Sequence, residues 1–115
     1  MGGGRAYVPQ IWKLEVANVL LVKKRRRQID ARFADDCLGL LRELPIEVDS
    51  STDPQAWTHT LALAREHGLT TYDACYLELA ERMHLPLASL DGALNRAALA
   101  RGVRLIRLDA PTTPQ

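Results

Sequence analysis

Residues 70–80 read TTYDACYLELA, and the reading of this stretch decides the class of fold. Tyr72, Tyr76, Leu77, Leu79 and Ala80 recur at helical spacing and give one apolar side. Asp73 is followed at the same spacing by Leu77 and Ala80, so a carboxylate opens a face made for a core. Capping accounts for part of this. Thr70-x-x-Asp73 fits the capping box, and an acid in the first turn suits the positive end of the helix dipole.

The flanks alternate helix and strand. Upstream, Asp53-Pro54 predicts a helix start that carries Trp57, Leu61 and Ala64 to a stop at His67-Gly68. Downstream, the Asp73 helix should run to about His84, followed by a short strand over Pro86–Leu90. Asp91-Gly92 then turns into a helix from about Ala93 to Arg101, Gly102 ends it, and Val103–Leu108 reads as a strand. In the first half, Pro9 opens a helix from about Gln10 to Arg27 that is apolar on almost every side, which predicts a buried helix. Asp30 caps a second helix through Leu44, Pro45 stops it, and Ile46–Val48 is a short strand. Strand, helix, strand with short links implies parallel pairing and right-handed crossovers. The expected class is therefore α/β, helix-rich, with a short parallel sheet covered on both faces. In such sheets ligands gather beyond the carboxyl ends of the strands, and Ser89-Leu90-Asp91 lies at one of them.

At 115 residues, 47% hydrophobic and 25% charged, the chain suits one domain with a real core. Residues 1–6, with Gly2–Gly4, read as a flexible start, 7–108 as the domain and 109–115 as a loose tail. The formal net charge of +1 advertises no global attraction for nucleic acid, although Lys23, Lys24, Arg25, Arg26 and Arg27 form a basic block. Cys37 and Cys75 sit inside helical patterns and read as free thiols of a reducing compartment. No secretory signal is visible, and the apolar stretch Val16–Val22 is broken by Asn18 and too short to span a membrane. These features read as a cytoplasmic protein.

Three acids sit in odd places. Glu15 and Asn18 share one face of an otherwise apolar helix. A buried, unpaired carboxylate costs several kcal/mol, so Glu15 is expected to be protonated, paired with a base, open to a cleft or bound to metal. Asp91 can be a cap, as Asp73 can. If Glu15, Asp73 and Asp91 converge, they repel and need a cation. Hard oxygen donors without His or Cys suit Mg²⁺ or Mn²⁺, in a site able to hydrolyse phosphodiesters.

Val8-Pro9-x-x-Trp12-x-x-Glu15-Val16-Ala17-Asn18-Val19-Leu20 resembles the second acidic motif of PIN-domain ribonucleases, especially VapC-like toxins. Leu69-Thr70-x-Tyr72-Asp73-Ala74-x-Tyr76-Leu77-x-Leu79-Ala80 is similar to their third acidic motif. Pro86-Leu87-Ala88-Ser89-Leu90-Asp91-x-x-Leu94 is similar to their closing S/T-x-D motif. The likeness runs from about Tyr7 to Leu105, in order and at matching intervals. It implies a three-layer α/β/α fold and a Mg²⁺- or Mn²⁺-dependent endoribonuclease of a type II toxin–antitoxin system. Glu15, Asp73 and Asp91 would then be catalytic acids that hold the metal, with Asn18 and Ser89 supporting them or placing water. The implied partners are an RNA substrate, an antitoxin and a second copy of the chain.

The resemblance lacks one part. The family opens with a strand ending in an Asp, commonly V-x-D-A-S, and this sequence starts just upstream of the second motif. Without that strand and Asp, weakened metal binding and impaired cleavage are expected, and exposed edges favour a homodimer or a domain swap. The alternative is a PIN-like module without catalysis, acting by dimerisation or antitoxin binding. The basic block complements its helix dipole or tracks an RNA backbone. Trp12, Trp57, Tyr72 and Tyr76 are expected to pack, and His67 and His84 to sit at helix ends.

Overall fold

The computed structural model describes residues 5–106, and the chain divides into two compact units, Met1–Ser50 and Ser51–Gln115. In the first, β1 (Ala6–Val8) pairs in parallel with β2 (Ile46–Val48), with Ala6 opposite Ile46 and Val8 opposite Val48. The Ala6 N–H donates to the Pro45 carbonyl at 3.0 Å and the Asp49 N–H to the Val8 carbonyl at 2.8 Å, which fixes that register at both ends. The sequence reading assigned no strand before the first helix. Three residues carry little periodic signal, and β1 is a strand because β2 supplies its partner from across two helices. Of the start expected to be loose, Ala6 lies in β1 and Arg5 pairs with Glu47 at 2.7 Å. Residues 1–4, the tail 109–115 and Arg107 and Leu108 of the last expected strand lie outside the described residues.

Helix α1 (Trp12–Arg25) packs on α2 (Ala31–Arg42), whose N-cap Asp30 accepts from the Phe33 N–H at 2.8 Å. The expectation of a buried first helix fails. No residue of α1 is buried, and Leu14 is 75% exposed. A helix apolar all round needs neighbours on every side. Among the described residues, the first unit offers one companion helix and a two-stranded sheet, and those buried are Val8 and Pro9.

In the second unit α3 (Thr52–Gln55), a π-helical turn (Ala56–Thr60) and α4 (Leu61–His67) follow one another without a break. The helix begins one residue before Asp53, with Ser51 at the N-cap and Asp53-Pro54 inside the first turn. Trp57, expected in the core, is 91% exposed. A π turn is wider than an α turn and rotates the residues on either side out of a 3.6 pattern. Thr60, Leu63 and Ala64 are buried instead.

α4, α5 (Thr71–Met83) and α6 (Gly92–Ala100) end by one device. Gly68, His84 and Gly102 take left-handed backbone, and the next residue donates five positions back: Leu69 to Ala64, Leu85 to Ala80 and Val103 to Ala98. These bonds satisfy terminal carbonyls and turn the chain inward. The accepting alanines are buried, so each reversal is also packed. Behind the last two lie β3 (Leu87–Ala88), shorter than its sequence pattern suggests, and β4 (Leu105–Ile106), which begins two residues later than expected; the two pair in parallel. The core is Leu63, Leu77, Leu87, Leu94 and Val103, with small alanines between the helices. The class is helix-rich α/β with short parallel strands, as read from the alternation.

Candidate functional site

The second unit carries two of the three singled-out acids. α5 reverses at His84 into β3, and α6 reverses at Gly102 toward β4. α5 packs beside β3 and α6 beside β4. The link Ser89–Asp91 joins the carboxyl end of β3 to the N-terminus of α6, the end of a strand where α/β sheets gather their ligands. Asp73 is in the first turn of α5 and Asp91 is the N-cap of α6.

Local hydrogen bonds fix each acid. Thr70 Oγ1 accepts from the Asp73 N–H at 3.0 Å, so Thr70 is the cap of α5 and holds the Asp73 backbone. Asp73 is half-buried. Asp91 does cap: its Oδ2 accepts from the Leu94 N–H at 2.8 Å. A carboxylate offers about four acceptor positions, so the cap leaves Asp91 with capacity for a ligand. Ser89 Oγ accepts from the Asp91 N–H at 2.9 Å and holds its backbone. Asn95, which sequence reasoning passed over, donates through Nδ2 to the Ser89 carbonyl at 3.0 Å. The loop is thereby tied to the second turn of α6. The signal was available, because Asn95 follows Asp91 by one helical turn.

The first unit carries the remaining candidates. Glu15 is half-buried in the first turn of α1, and Asn18 is exposed one turn on. Lys23, Lys24 and Arg25 form the last turn, Arg26 is the C-cap and Arg27 takes left-handed backbone, all five exposed. Within either unit, the described residues form no cluster of three or more His, Cys, Asp or Glu arranged to hold a metal. The donor chemistry that is present suits a hard cation. Asp73 and Asp91 are both carboxylates at helix N-termini, and Mg²⁺ binds through one or two carboxylates while keeping water. Asn95 Oδ1 adds an oxygen that is buried with no hydrogen-bond partner among the described residues.

A buried carboxylate also went unread. Glu78 is fully buried in α5 and receives Arg82 in a fork, Nε at 2.7 Å and Nη2 at 3.0 Å. The Glu-to-Arg spacing of four was visible in the sequence, but it reads as a surface pair. At the far end of the unit, Glu81 holds Arg101 at 2.7 and 3.2 Å, and this hydrogen bonding raises the Arg101 pKa. Cys75 is buried and Cys37 half-buried, both as free thiols.

Compared with known protein families, residues 1–100 match the PIN domain, a match that spans both units. A comparison with curated proteins gives no match.

Proposed function

The chain belongs to the PIN domain family, whose members are generally nucleases, and on that premise we propose that it is an endoribonuclease dependent on Mg²⁺ or Mn²⁺. The observation that carries this reading is that Asp73 and Asp91 each stand at a helix N-terminus, with Asp91 just past the parallel strand β3. In this reading Asp73 and Asp91 hold the cation. When bound, it supplies positive charge against the negative charge that develops on a phosphoryl group in hydrolysis. The chain's own groups hold the carboxylates still. Thr70 holds the backbone of Asp73, and Ser89 and Asn95 keep Asp91 in place. Preorganised groups of this kind cost no reorganisation during reaction.

The exposed block Lys23–Arg27 supports an RNA substrate, since each phosphate contact releases counterions and makes affinity fall with salt. The VapC-like motifs support the role of a toxin held by an antitoxin. A groove of about 530 Å³ lies between α1, α2 and β2, with Trp12, Val16, Leu38 and Leu41 on its walls beside Lys13 and Arg42. That groove, with exposed Leu14, Val19, Phe33 and Leu40, supports a protein partner, the antitoxin or a second copy in a homodimer. The same surface favours a second reading, a PIN-like module that binds these partners without cleaving RNA. No helix among the described residues is long and apolar enough to cross a membrane. Mn²⁺ binding, read by water-proton relaxation on the full chain, tests the metal assignment. One site lost in both Asp73→Asn and Asp91→Asn is expected, and wild-type binding in both variants would overturn it.

A further inference from the structure

The turns by which α5 and α6 reverse into their strands enclose a cleft of about 460 Å³. That lies within the range of about 300–1,000 Å³ usual for small-molecule sites. Leu85 and Pro86 give it an apolar wall, and Glu81, Arg101 and Arg104 line the rest, with His84 on the α5 turn. None of these residues belongs to the candidate metal site. The charges of the lining do not balance, because one carboxylate faces two guanidiniums. Glu81 takes Arg101 through Nε at 2.7 Å and Nη2 at 3.2 Å, which sets that pair against itself. Glu66, 3.5 Å from Arg101 Nη1, stands outside the lining, and its side chain is 59% exposed, so water screens it. Arg104 is exposed and makes no side-chain hydrogen bond or ion pair among the described residues.

Cations near helix C-termini commonly serve the last carbonyls and the dipole. Here backbone N–H groups already serve those carbonyls. Leu85 donates to Ala80 at 2.9 Å, Gly102 to Leu99 at 3.1 Å and Val103 to Ala98 at 2.8 Å. Arg104 lies beyond both helices, and the five donors of its guanidinium are left for a ligand. Their planar fork matches a phosphate group. We propose that this cleft binds a small phosphate ester, with the phosphate on Arg104 and the remaining N–H groups of Arg101, and the organic body against Leu85 and Pro86. The site does not depend on the ribonuclease reading.

The test is isothermal titration calorimetry of the full chain with AMP, inorganic phosphate and adenosine, with two-dimensional NMR to place the site. AMP should bind at one site. Inorganic phosphate, which lacks the body, should bind more weakly, and adenosine, which lacks the charge, should not bind. Amide shifts should centre on Leu85, Gly102 and Arg104. Arg104→Ala should weaken AMP binding at least about tenfold, the scale of one hydrogen bond to a charged group. Its melting temperature should match wild type, because that side chain has no partner to lose. Arg104→Lys, which keeps the charge without the fork, should fall between the two. Asp73→Asn should bind AMP as wild type does. A 5′-phosphorylated RNA trinucleotide that binds as tightly as AMP would identify the ester as an RNA end; one that fails where AMP binds would identify a free nucleotide. No saturable AMP binding, inorganic phosphate as tight as AMP, equal binding by Arg104→Ala, or shifts centred on Lys23–Arg27 would overturn the proposal. Cleavage enters none of these readouts, so the proposal and the nuclease reading fail separately.

Discussion

Removing Arg82 should destabilise the second unit far more than its partly open position suggests. The Glu78 carboxylate is fully buried, and both its oxygens receive the Arg82 guanidinium, at 2.7 and 3.0 Å. The Arg82 side chain is 25% exposed, so the pair is buried at one end and reaches water at the other. Breaking a buried pair by deleting one partner costs about 3–5 kcal/mol, because the remaining charge has lost its compensation. Partial access of water on the Arg82 side reduces this, and Arg82→Ala should cost about 3 kcal/mol. At about 4 °C per kcal/mol for a chain of this size, the melting temperature should fall by about 12 °C. The double variant Glu78→Leu/Arg82→Leu removes both charges and should stay within about 1 kcal/mol of wild type. Urea unfolding followed by circular dichroism reads both, from the shift in midpoint at constant slope. A single variant within 1 kcal/mol of wild type, or a double variant as unstable as the single, would refute the claim that an uncompensated buried carboxylate sets the cost.

Further outcomes follow from the caps and the core. Asp91→Asn should keep the α6 cap, since Asn caps as well as Asp, and leave urea stability within about 0.5 kcal/mol. The same variant should lower metal-dependent cleavage by about 100-fold or more, the scale of losing one electrostatic stabiliser. Equal activity would reduce Asp91 to a cap. Thr70→Ala removes the acceptor of the Asp73 N–H and should cost about 1 kcal/mol in urea unfolding. Leu77→Ala empties a site with no exposure in the core of the second unit and should cost about 3 kcal/mol.

What could be read in the sequence was local. Thr70, Asp30 and Asp91 announce helix starts because a short polar side chain before an apolar run has a donor to satisfy. Gly68 and Gly102 announce stops because left-handed backbone suits glycine. The motifs around Glu15, Asp73 and Asp91 pointed to the family because their order and spacing are specific. What could not be read depends on distant partners. β1 exists through β2, and Trp57 is exposed because a π turn breaks the 3.6 pattern that placed it inside. The exposure of α1 depends on how many neighbours its unit supplies, and no period in its own residues reports that. Glu78 went unread because its i, i+4 pairing with Arg82 is the same on a wet face and a dry one.

The most direct test of the central claim is cleavage of single-stranded RNA by the full chain, with Mg²⁺, with Mn²⁺ and with chelator, beside Asp73→Asn. The account predicts internal cuts that need the cation and vanish in the variant, while Asp73→Asn keeps the wild-type melting temperature. Cleavage that survives in chelator or in a folded Asp73→Asn would contradict it, as would no cleavage under any of these conditions.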